Sequence, residues 1–312
     1  MRVVFFGTPE IAKESLEFNF KKGVHIVGVV TKPDKPKGRS SKPLPPPVKD
    51  WVLTENPSIP FFQPEKASTP EMLEQLKALK PDLFVVVAYG EILKQSLLGL
   101  APLGAINLHA SLLPRWRGAA PIQRAIEAGD GETGVSIIKL VQKMDAGPVL
   151  LKKTYPLTEN IRSAELFRAL SDIGKQALLQ VIRQFENGTT QEEIQDETKV
   201  THAAKLTPEG CQLDWKEEGK KLHHLVCAAY PNPIAWTEVV IRGEKKKLNI
   251  QESRYRDDIT LPPAELFLSK KEVIVGTANG ALQLLHVQQE GKKAMSAPDW
   301  ARGINSPIEF VL

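Results

Sequence analysis

The sequence contains little cysteine and no long apolar run. Its two cysteines, Cys211 and Cys227, do not form a CxxC pair. This argues against a disulfide framework or a cysteine zinc site and is typical of a reducing compartment. No apolar run approaches the roughly 20 residues that span a bilayer, and the first residues form too short an apolar stretch for a signal peptide. We therefore expect a cytoplasmic protein that is not inserted in a membrane, in which neither thiol is a nucleophile.

The glycine pattern of a dinucleotide-binding site is also missing. Gly7 ends an early apolar run, but the second and third glycines of GxGxxG do not follow it. The next apolar run ends in Val30-Thr31-Lys32-Pro33, where no acid is placed to bind a ribose. An NAD-dependent oxidoreductase is therefore disfavoured, and no NAD is expected.

Positive charge is concentrated in one short segment. The chain has 41 Lys and Arg against 37 Asp and Glu, a net charge of +4. Residues 32–49, called the basic loop below, contain six basic residues and one acid, so they carry +5 and the remainder of the chain carries −1. Six prolines exclude a regular helix there. The pattern predicts an exposed loop that grips a phosphate backbone, although a solvated insertion is the structural alternative.

Apolar runs separated by helical patterns predict a doubly wound α/β sheet in the first half of the chain. The runs cover residues 3–6, 24–30, 83–88, 105–108 and 135–141, and helices are predicted over 70–79, 119–128 and 161–185. Thr8 and Thr69 are predicted N-caps. Continuous apolar runs are typical of parallel strands buried on both faces, and ligands of such sheets bind beyond the carboxyl ends of the strands.

The composition changes near residue 200. Residues 187–199 are polar and acidic without apolar periodicity, which indicates a linker. Short alternating segments follow at 236–241, 272–275 and 281–287, separated by glycines and charged turns. They predict a small β-barrel such as one of the OB type.

Three polar residues form a candidate catalytic group. Asn107 and His109 lie two residues apart on a predicted strand, so their side chains point to the same side. Asp145 follows the next predicted strand and would reach the same edge if the two strands are parallel. With no Ser or Cys nucleophile in the group, these residue types suit direct attack of an amine on a carbonyl. Asn107 and His109 would donate to the oxyanion, while Asp145 would orient the imidazole, favour its protonated form and help to deprotonate the amine.

Each residue of this group also has a structural interpretation. A histidine is often satisfied within a turn, and an acid is common in a glycine-flanked loop. The spacing of Asn107 and His109 at a strand end favours the catalytic interpretation.

The segment 107–114, Asn-Leu-His-Ala-Ser-Leu-Leu-Pro, resembles the signature of the 10-formyltetrahydrofolate-dependent formyltransferases. Within that superfamily, further motifs are similar to the methionyl-tRNA formyltransferase branch. They are Phe6-Gly7-Thr8-Pro9, residues 33–39 with 47–49, residues 115–123 and residues 289–295. The likeness covers almost the whole chain.

The resemblance implies a Rossmann-like catalytic domain over 1–186, a linker over 187–203 and an OB-like tRNA-binding domain over 204–312. It also implies transfer of the formyl group of 10-formyltetrahydrofolate to the amino group of initiator Met-tRNA, with Asn107, His109 and Asp145 as the catalytic residues. No metal and no formyl-enzyme intermediate are expected. The expected partners are the tRNA and the folate, without a membrane, and the expected assembly is a monomer.

The resemblance further implies where the substrates bind. The folate is expected at the loop Ser111, Leu112, Leu113 and Pro114, and at a pterin pocket formed by Ala88, Tyr89, Gly90 and Ile92, through backbone rather than side chains. The tRNA is expected to contact Lys35, Lys37, Arg39, Lys42, Arg115 and Arg117, with Arg124 extending the positive surface. The segment Met144-Asp145-Ala146-Gly147 departs from the usual Leu-Asp-Thr-Gly of the family but keeps its Asp and Gly. Another departure, at 227–233, leaves the tRNA contacts of the second domain unspecified.

Two alternatives remain. A sugar-nucleotide N-formyltransferase would share the Asn, His and Asp, and only the basic loop and the C-terminal segment argue against it. A non-catalytic RNA-binding module would leave those three residues unexplained.

Overall fold

The structure is a computed structural model that describes residues 1–36 and 43–312. These residues form two compact units. One comprises residues 1–118, 134–155 and 169–202, and the other comprises 119–133, 156–168 and 203–312. Both units are therefore discontinuous in sequence, whereas the predicted domain limits are continuous; those limits stay a prediction.

The described chain up to residue 187 alternates strands and helices. Its strands are β1 (Arg2–Gly7), β2 (His25–Val30), β3 (Lys35–Pro36), β4 (Pro43–Leu44), β5 (Phe61–Phe62), β6 (Leu83–Val87), β7 (Ala105–His109), β8 (Arg117–Gly118), β9 (Glu132–Lys139) and β10 (Val149–Pro156). Its helices are α1 (Glu10–Lys21), α2 (Pro47–Glu55), α3 (Pro70–Ala78), α4 (Gln95–Leu98), α5 (Pro121–Glu127) and α6 (Ser163–Asn187). Across residues 1–36 and 43–312, every helix is too short or too polar to span a membrane.

Seven of these strands form one sheet in the order β10-β9-β7-β6-β1-β2-β5. From β1 the chain proceeds outward to β2 and β5, and it then continues on the other side of β1 with β6 and β7. All neighbouring pairs from β5 to β7 are parallel. This order confirms the predicted doubly wound sheet and places its topological switch point between β1 and β6, where Gly7 lies beside Val87.

Strand β9 differs from the expectation. It pairs antiparallel with β7, with Ser136 opposite His109 and Lys139 opposite Ile106. The assumption that Asp145 follows a parallel strand was therefore wrong. An apolar run reports burial on both faces but carries no information about the direction of the strand.

Aromatic packing joins the carboxyl ends of the two central strands. The ring of Phe6 contacts Phe84 and Tyr89 edge to face, with ring centroids 5.3 and 5.4 Å apart. The Thr8 hydroxyl donates to the Tyr89 carbonyl at 3.2 Å. Thr8 is therefore not the predicted N-cap of α1, because Pro9 occupies that position. At α3 the predicted cap is confirmed, since Thr69 Oγ1 accepts from the Met72 N–H at 3.3 Å.

The chain from residue 202 onward is mainly antiparallel. Its elements are β11 (His202–Ala203), α7 (Gly219–Ala229), β12 (Ala235–Ile241), β13 (Glu244–Arg256), β14 (Leu266–Leu268), β15 (Val273–Gly276), β16 (Ala281–Gln289), β17 (Met295–Ser296), α8 (Ala297–Arg302) and β18 (Ile308–Phe310). One sheet has the order β14-β15-β16-β13-β12-β18, and its end strands β14 and β18 contact each other. This nearly closed sheet confirms the predicted barrel. The long strand β13 was not predicted, because charged residues interrupt its alternating pattern.

The core of this barrel-like sheet contains Trp215, whose indole N–H donates to Thr237 Oγ1 at 3.0 Å. Its ring meets Phe310 edge to face. Cys211 and Cys227 are buried free thiols. Burial raises the pKa of each thiol to about 11.

Gly134 in β9 provides a test of this sheet. A Cβ at this position would lie 2.0 Å from the Lys153 carbonyl oxygen and 2.7 Å from Leu112 Cδ2. We predict that Gly134→Ala lowers the free energy of unfolding by about 1–3 kcal/mol, because the added methyl group overpacks against backbone. Urea denaturation measures this change. Gly131→Ala is the control, since nothing lies within 4 Å of its added Cβ, and equal midpoints for both variants would contradict the packing argument.

Candidate active site

Strand β7 carries two of the three predicted catalytic residues. Asn107 and His109 lie on the same side of the strand, two positions apart, near its carboxyl end. Asn107 is half-buried, and the His109 side chain is 6% exposed. The regular backbone of the strand therefore determines the position and the direction from which both side chains extend.

Asp145 reaches His109 by a different route from the one expected. Because β9 is antiparallel, its last residue, Lys139, lies opposite Ile106, three positions before His109. The loop 140–148 then brings Asp145 back along β7, so that Asp145 Oδ2 is 3.7 Å from His109 Nδ1. The structure thus places the predicted carboxylate beside the predicted imidazole, at a distance longer than a hydrogen bond.

The second ring nitrogen of His109 is engaged within the protein. Its Nε2 lies 2.9 Å from the Trp116 carbonyl oxygen, which can only accept. Nε2 therefore donates to the Trp116 carbonyl, whereas Nδ1 faces the Asp145 carboxylate beyond hydrogen-bond distance. Donation from Nε2 to a substrate oxyanion would replace the hydrogen bond to Trp116.

Two residues of the site have strained backbone. Trp116 has φ +66° and Asp145 has φ +52°, in the left-handed region that non-glycine residues rarely adopt. The loops that contain them are linked directly, because the Gly118 N–H donates to Asp145 Oδ2 at 2.9 Å. The Trp116 N–H donates to Thr201 Oγ1 at the same distance. Surrounding contacts of this kind are what allows strained residues to persist.

Arg117, which was predicted to contact tRNA, is buried and makes hydrogen bonds within the protein. Its side chain is 3% exposed, Nε donates to Gln195 Oε1 at 3.0 Å, and Nη2 donates to Glu197 Oε1 at 2.7 Å. The Arg117 guanidinium, followed by the Lys143 ammonium, lowers the pKa of Glu197 to about 2. We therefore do not retain Arg117 among the proposed tRNA contacts.

Gln195 belongs to the site although nothing in the sequence indicated it. Its side-chain amide donates to the carbonyl oxygens of Asp145 at 2.8 Å and Gly147 at 2.7 Å. It lies in the segment predicted as a linker, where one glutamine among many polar residues gives no signal. At this position the segment contacts the loop that carries Asp145.

The predicted folate loop is held in place from inside. Ser111 is fully buried, and its hydroxyl donates to the Arg115 carbonyl at 2.6 Å. The Leu113 N–H donates to Ser136 Oγ, which in turn donates to the Ser111 carbonyl. Leu112 and Pro114 remain half-buried. Ser111 and Leu113 thus hold the loop, whereas Leu112 and Pro114 are partly accessible.

The predicted pterin segment lies directly after β6, at the switch point. Ala88 and Gly90 are exposed and have positive φ values of +46° and +84°, and Ile92 is 64% exposed. Tyr89 differs, because its ring is buried in the core. The segment therefore offers its backbone and Ile92 to a ligand rather than the tyrosine ring.

Both ends of the basic loop are tied to acids. Lys32 pairs with Glu91, and Lys49 pairs with Asp34 at 2.8 Å. Hydrogen bonds from Gln63, and then from Lys49, lower the pKa of Asp34. Two of the six basic residues are thereby neutralised. Lys35 is exposed, and Lys37, Arg39 and Lys42 lie outside the described residues.

Arg115, the other predicted arginine contact, is exposed, and its guanidinium carbon lies 4.3 Å from the ring centroid of Trp116.

Within residues 1–36 and 43–312, no three His, Cys, Asp or Glu side chains are grouped so that they could hold a metal ion.

Comparison with known proteins identifies the family. A family model described as formyl transferase matches residues 1–182. The chain belongs to the formyltransferase family. A second model, described as the C-terminal domain of formyl transferase, matches residues 205–305. The chain is also 46% identical to the methionyl-tRNA formyltransferase of Protochlamydia amoebophila (strain UWE25), over 100% of this chain and 98% of that protein. These findings confirm the resemblance found in residues 107–114.

Solved structures share the fold of this formyltransferase at much lower identity. HypX from Aquifex aeolicus, in complex with tetrahydrofolic acid, is 18% identical with a TM-score of 0.63, over 96% of this chain and 46% of that one. The N-formyltransferase of Helicobacter canadensis, in complex with folinic acid and dTDP-3-aminofucose, is 16% identical with a TM-score of 0.66, over 90% and 98%. Such similarity supports the fold alone.

The roles of the three polar residues can be tested by substitution. We predict that Asn107→Ala and His109→Ala each fold but lower the turnover of formyl transfer about a hundredfold to a thousandfold, as the loss of one oxyanion donor does. Asp145→Ala should lower turnover by a similar factor, because it removes the carboxylate proposed to accept the amine proton. Steady-state kinetics measures turnover, and circular dichroism checks folding. His25→Ala, which alters an exposed histidine at the start of β2, is the matched control. Near-normal turnover by His109→Ala would exclude the proposed chemistry.

Proposed function

We propose that this protein transfers the formyl group of 10-formyltetrahydrofolate to the amino group of methionyl initiator tRNA. The observation that carries the proposal is the 46% identity to a methionyl-tRNA formyltransferase over the full length of the chain. The tetrahydrofolic acid and folinic acid bound to the structural relatives support a tetrahydrofolate-derived co-substrate. The product is formylmethionyl-tRNA, which is used to initiate translation.

The geometry supports direct attack of the amine on the formyl carbon. The methionyl nitrogen forms a bond to this carbon, and the bond to N10 of the folate then breaks. Asn107 and His109 donate to the oxyanion that forms in between. Asp145 lies beside the imidazole and accepts the amine proton, directly or through water. This proton then passes through water to N10 as it leaves, which regenerates the carboxylate.

The two thiols support a mechanism without a formyl-enzyme intermediate. Because the pKa values of Cys211 and Cys227 are raised to about 11, both thiols are protonated and weakly nucleophilic at neutral pH. Mass spectrometry during turnover would detect a thioester on either cysteine if this were wrong. Full activity in the presence of a chelator is the corresponding expectation for a mechanism without metal.

The folate pocket is proposed at the carboxyl edge of the parallel strands. The segment 88–92 and the loop 111–114 follow β6 and β7, which are neighbours in the sheet. Positive φ values at Ala88 and Gly90 expose backbone groups next to the switch point, where ligands of doubly wound sheets bind. The pterin would be held mainly by backbone hydrogen bonds there, and Leu112 and Pro114 would contact the folate from the other side.

The tRNA is proposed to bind through the basic loop. Because β2 is parallel to β1, the loop leaves the sheet at the same edge as the segment after Gly7. The pairs of Lys32 with Glu91 and Lys49 with Asp34 neutralise two of its charges. Lys35, Lys37, Arg39 and Lys42 remain to contact phosphates of the acceptor stem, and Arg115 adds to them.

The remaining predictions belong to the same proposal. The barrel-like sheet within residues 204–312 would bind further parts of the tRNA, after a catalytic domain over 1–186 and a connecting segment over 187–203. We expect a cytoplasmic monomer that needs neither metal nor NAD. Analytical ultracentrifugation measures the oligomeric state.

A direct assay separates this function from the sugar-nucleotide alternative. The sugar N-formyltransferases among the structural relatives are only 16–17% identical, which does not favour a sugar substrate. When 10-formyltetrahydrofolate is offered with Met-tRNA and an amino-sugar nucleotide in parallel reactions, we expect product from the tRNA alone. Formylation of the sugar nucleotide alone would overturn the proposal.

The salt dependence of tRNA binding tests the basic loop. Replacing Lys35, Lys37, Arg39 and Lys42 by alanine should reduce the slope of log affinity against log salt by up to roughly three units, since each lost phosphate contact removes about 0.7–0.9. Folate affinity should not change, because other loops form the folate pocket. Filter binding at several salt concentrations measures the slope.

A control variant removes the same charge elsewhere. Lys21, Lys22, Lys77 and Lys80 are exposed at the ends of α1 and α3, and their replacement by alanine should leave the salt slope close to that of the wild type. An unchanged affinity and slope in the loop variant would indicate that the loop is a solvated insertion.

A further inference from the structure

We propose that Gln195 is a positioning residue that fixes Asp145 against His109. The proposal rests on the function proposed above, because it assigns Gln195 to the same site. Gln195 follows α6 in the segment that sequence analysis interprets as a linker, and its side chain is 6% exposed. It does not touch the reacting atoms, so its contribution would come through Asp145.

The three hydrogen bonds of the side chain define its orientation. Nε2 donates to the carbonyl oxygens of Asp145 and Gly147, at 2.8 and 2.7 Å, and Oε1 accepts from Arg117 Nε at 3.0 Å. Both amide hydrogens are thus donated to the loop that contains Asp145, and the amide oxygen accepts from the loop that contains Arg117. A flipped amide would place its oxygen against two carbonyls and its NH₂ group against a donor, so the observed orientation is the one that satisfies all partners.

Gln195 joins the two loops whose backbone is strained. One loop contains Asp145 at φ +52°, and the other contains Trp116 at φ +66°, whose carbonyl oxygen accepts from His109. Without a restraint, each residue would relax toward negative φ. Relaxation of the first loop would move Asp145 Oδ2 away from His109 Nδ1, and relaxation of the second would release the ring.

The segment around Gln195 is itself anchored on both sides. Glu193 exchanges two backbone hydrogen bonds with Val149 at the start of β10, both of 2.8 Å. Glu197 accepts from Arg117 at 2.7 Å and from Lys143 at 2.6 Å. Gln195 therefore projects from a segment that is held two residues before and two residues after it.

Substitution by glutamate separates positioning from general stability. Gln195→Glu keeps the shape and the acceptor for Arg117 Nε, which becomes a charge-assisted bond, but it loses both donors to the loop of Asp145. We expect kcat to fall about 10-fold to 100-fold, as small misplacements in active sites do. KM for Met-tRNA and for 10-formyltetrahydrofolate should stay within about twofold. The interaction that is weakened is the one that Asp145 makes in the transition state, and substrate binding does not depend on it.

Two further variants make the comparison with Gln195→Glu specific. Gln191→Glu adds the same charge at an exposed position of the same segment and should keep full turnover. Gln195→Met has a similar shape without hydrogen-bonding groups, and it should also lower kcat with little change in KM. Urea denaturation of each variant verifies that the measured protein is folded.

A readout that needs no substrate tests the same idea. The Gly118 amide donates to Asp145 Oδ2, so its hydrogen exchange reports whether the carboxylate stays in place. We expect exchange at Gly118 to be faster in Gln195→Glu than in the wild type and unchanged in Gln191→Glu.

The outcomes distinguish this proposal from the proposed function. Wild-type kcat in both Gln195 variants, or unchanged exchange at Gly118, would overturn the role of Gln195. A loss of turnover only in Gln195→Met, together with a loss of stability, would indicate a purely structural role and would also overturn it. A wild-type protein that does not formylate Met-tRNA would contradict the proposed function, whereas hydrogen exchange would still test the positioning.

Discussion

Asp145 can stand beside His109 only if an irregular loop is held back along strand β7. Strand β9 runs antiparallel to β7 and ends opposite Ile106, so regular structure brings the chain away from the end of the sheet that carries His109. The loop that returns adopts an unfavourable backbone conformation at Asp145. Its position therefore depends on hydrogen bonds from outside the loop, which the Gly118 N–H and the Gln195 amide donate. The rest of the site is arranged around this requirement.

The same reasoning explains why the site combines strand residues with loop residues. Asn107 and His109 need no special restraint, because a buried strand determines their spacing and direction. Asp145 and the Trp116 carbonyl need restraint, and the buried side chains of Arg117 and Gln195 provide it. Arg117, which sequence analysis expected to contact tRNA, has a structural role instead. Its burial is tolerable because Gln195 accepts from its Nε, and Glu197 accepts from its Nη2 and supplies the opposite charge.

Sequence analysis located most of the fold and part of the candidate site. Strands β1, β2, β6 and β7 were predictable, because a strand buried on both faces needs a continuous apolar run, and the places of Asn107 and His109 followed because they lie on such a strand. Strand β10 was missed, since only its first two residues are buried. The direction of β9 was not predictable, because an apolar run is the same when read in either direction. Strand β13 was missed, since one face of a barrel strand can be charged. The part played by Gln195 depends on contacts with residues about 50 and 80 positions away, which local sequence patterns cannot show.

The net charge of the basic loop follows from its sequence, but only the structure shows which of its charges are paired. Its first and last lysines are paired with Glu91 and Asp34. The formal +5 already counts Asp34, so the pairing with Glu91 lowers the local charge to +4. Because those pairs are partly buried, salt screens them less than it screens exposed lysines. The two ion pairs therefore persist as ionic strength rises, whereas an exposed lysine such as Lys35 would lose attraction for phosphate. Under the proposed function, attachment to the sheet edge and recognition of tRNA would thus be carried by different residues of one segment.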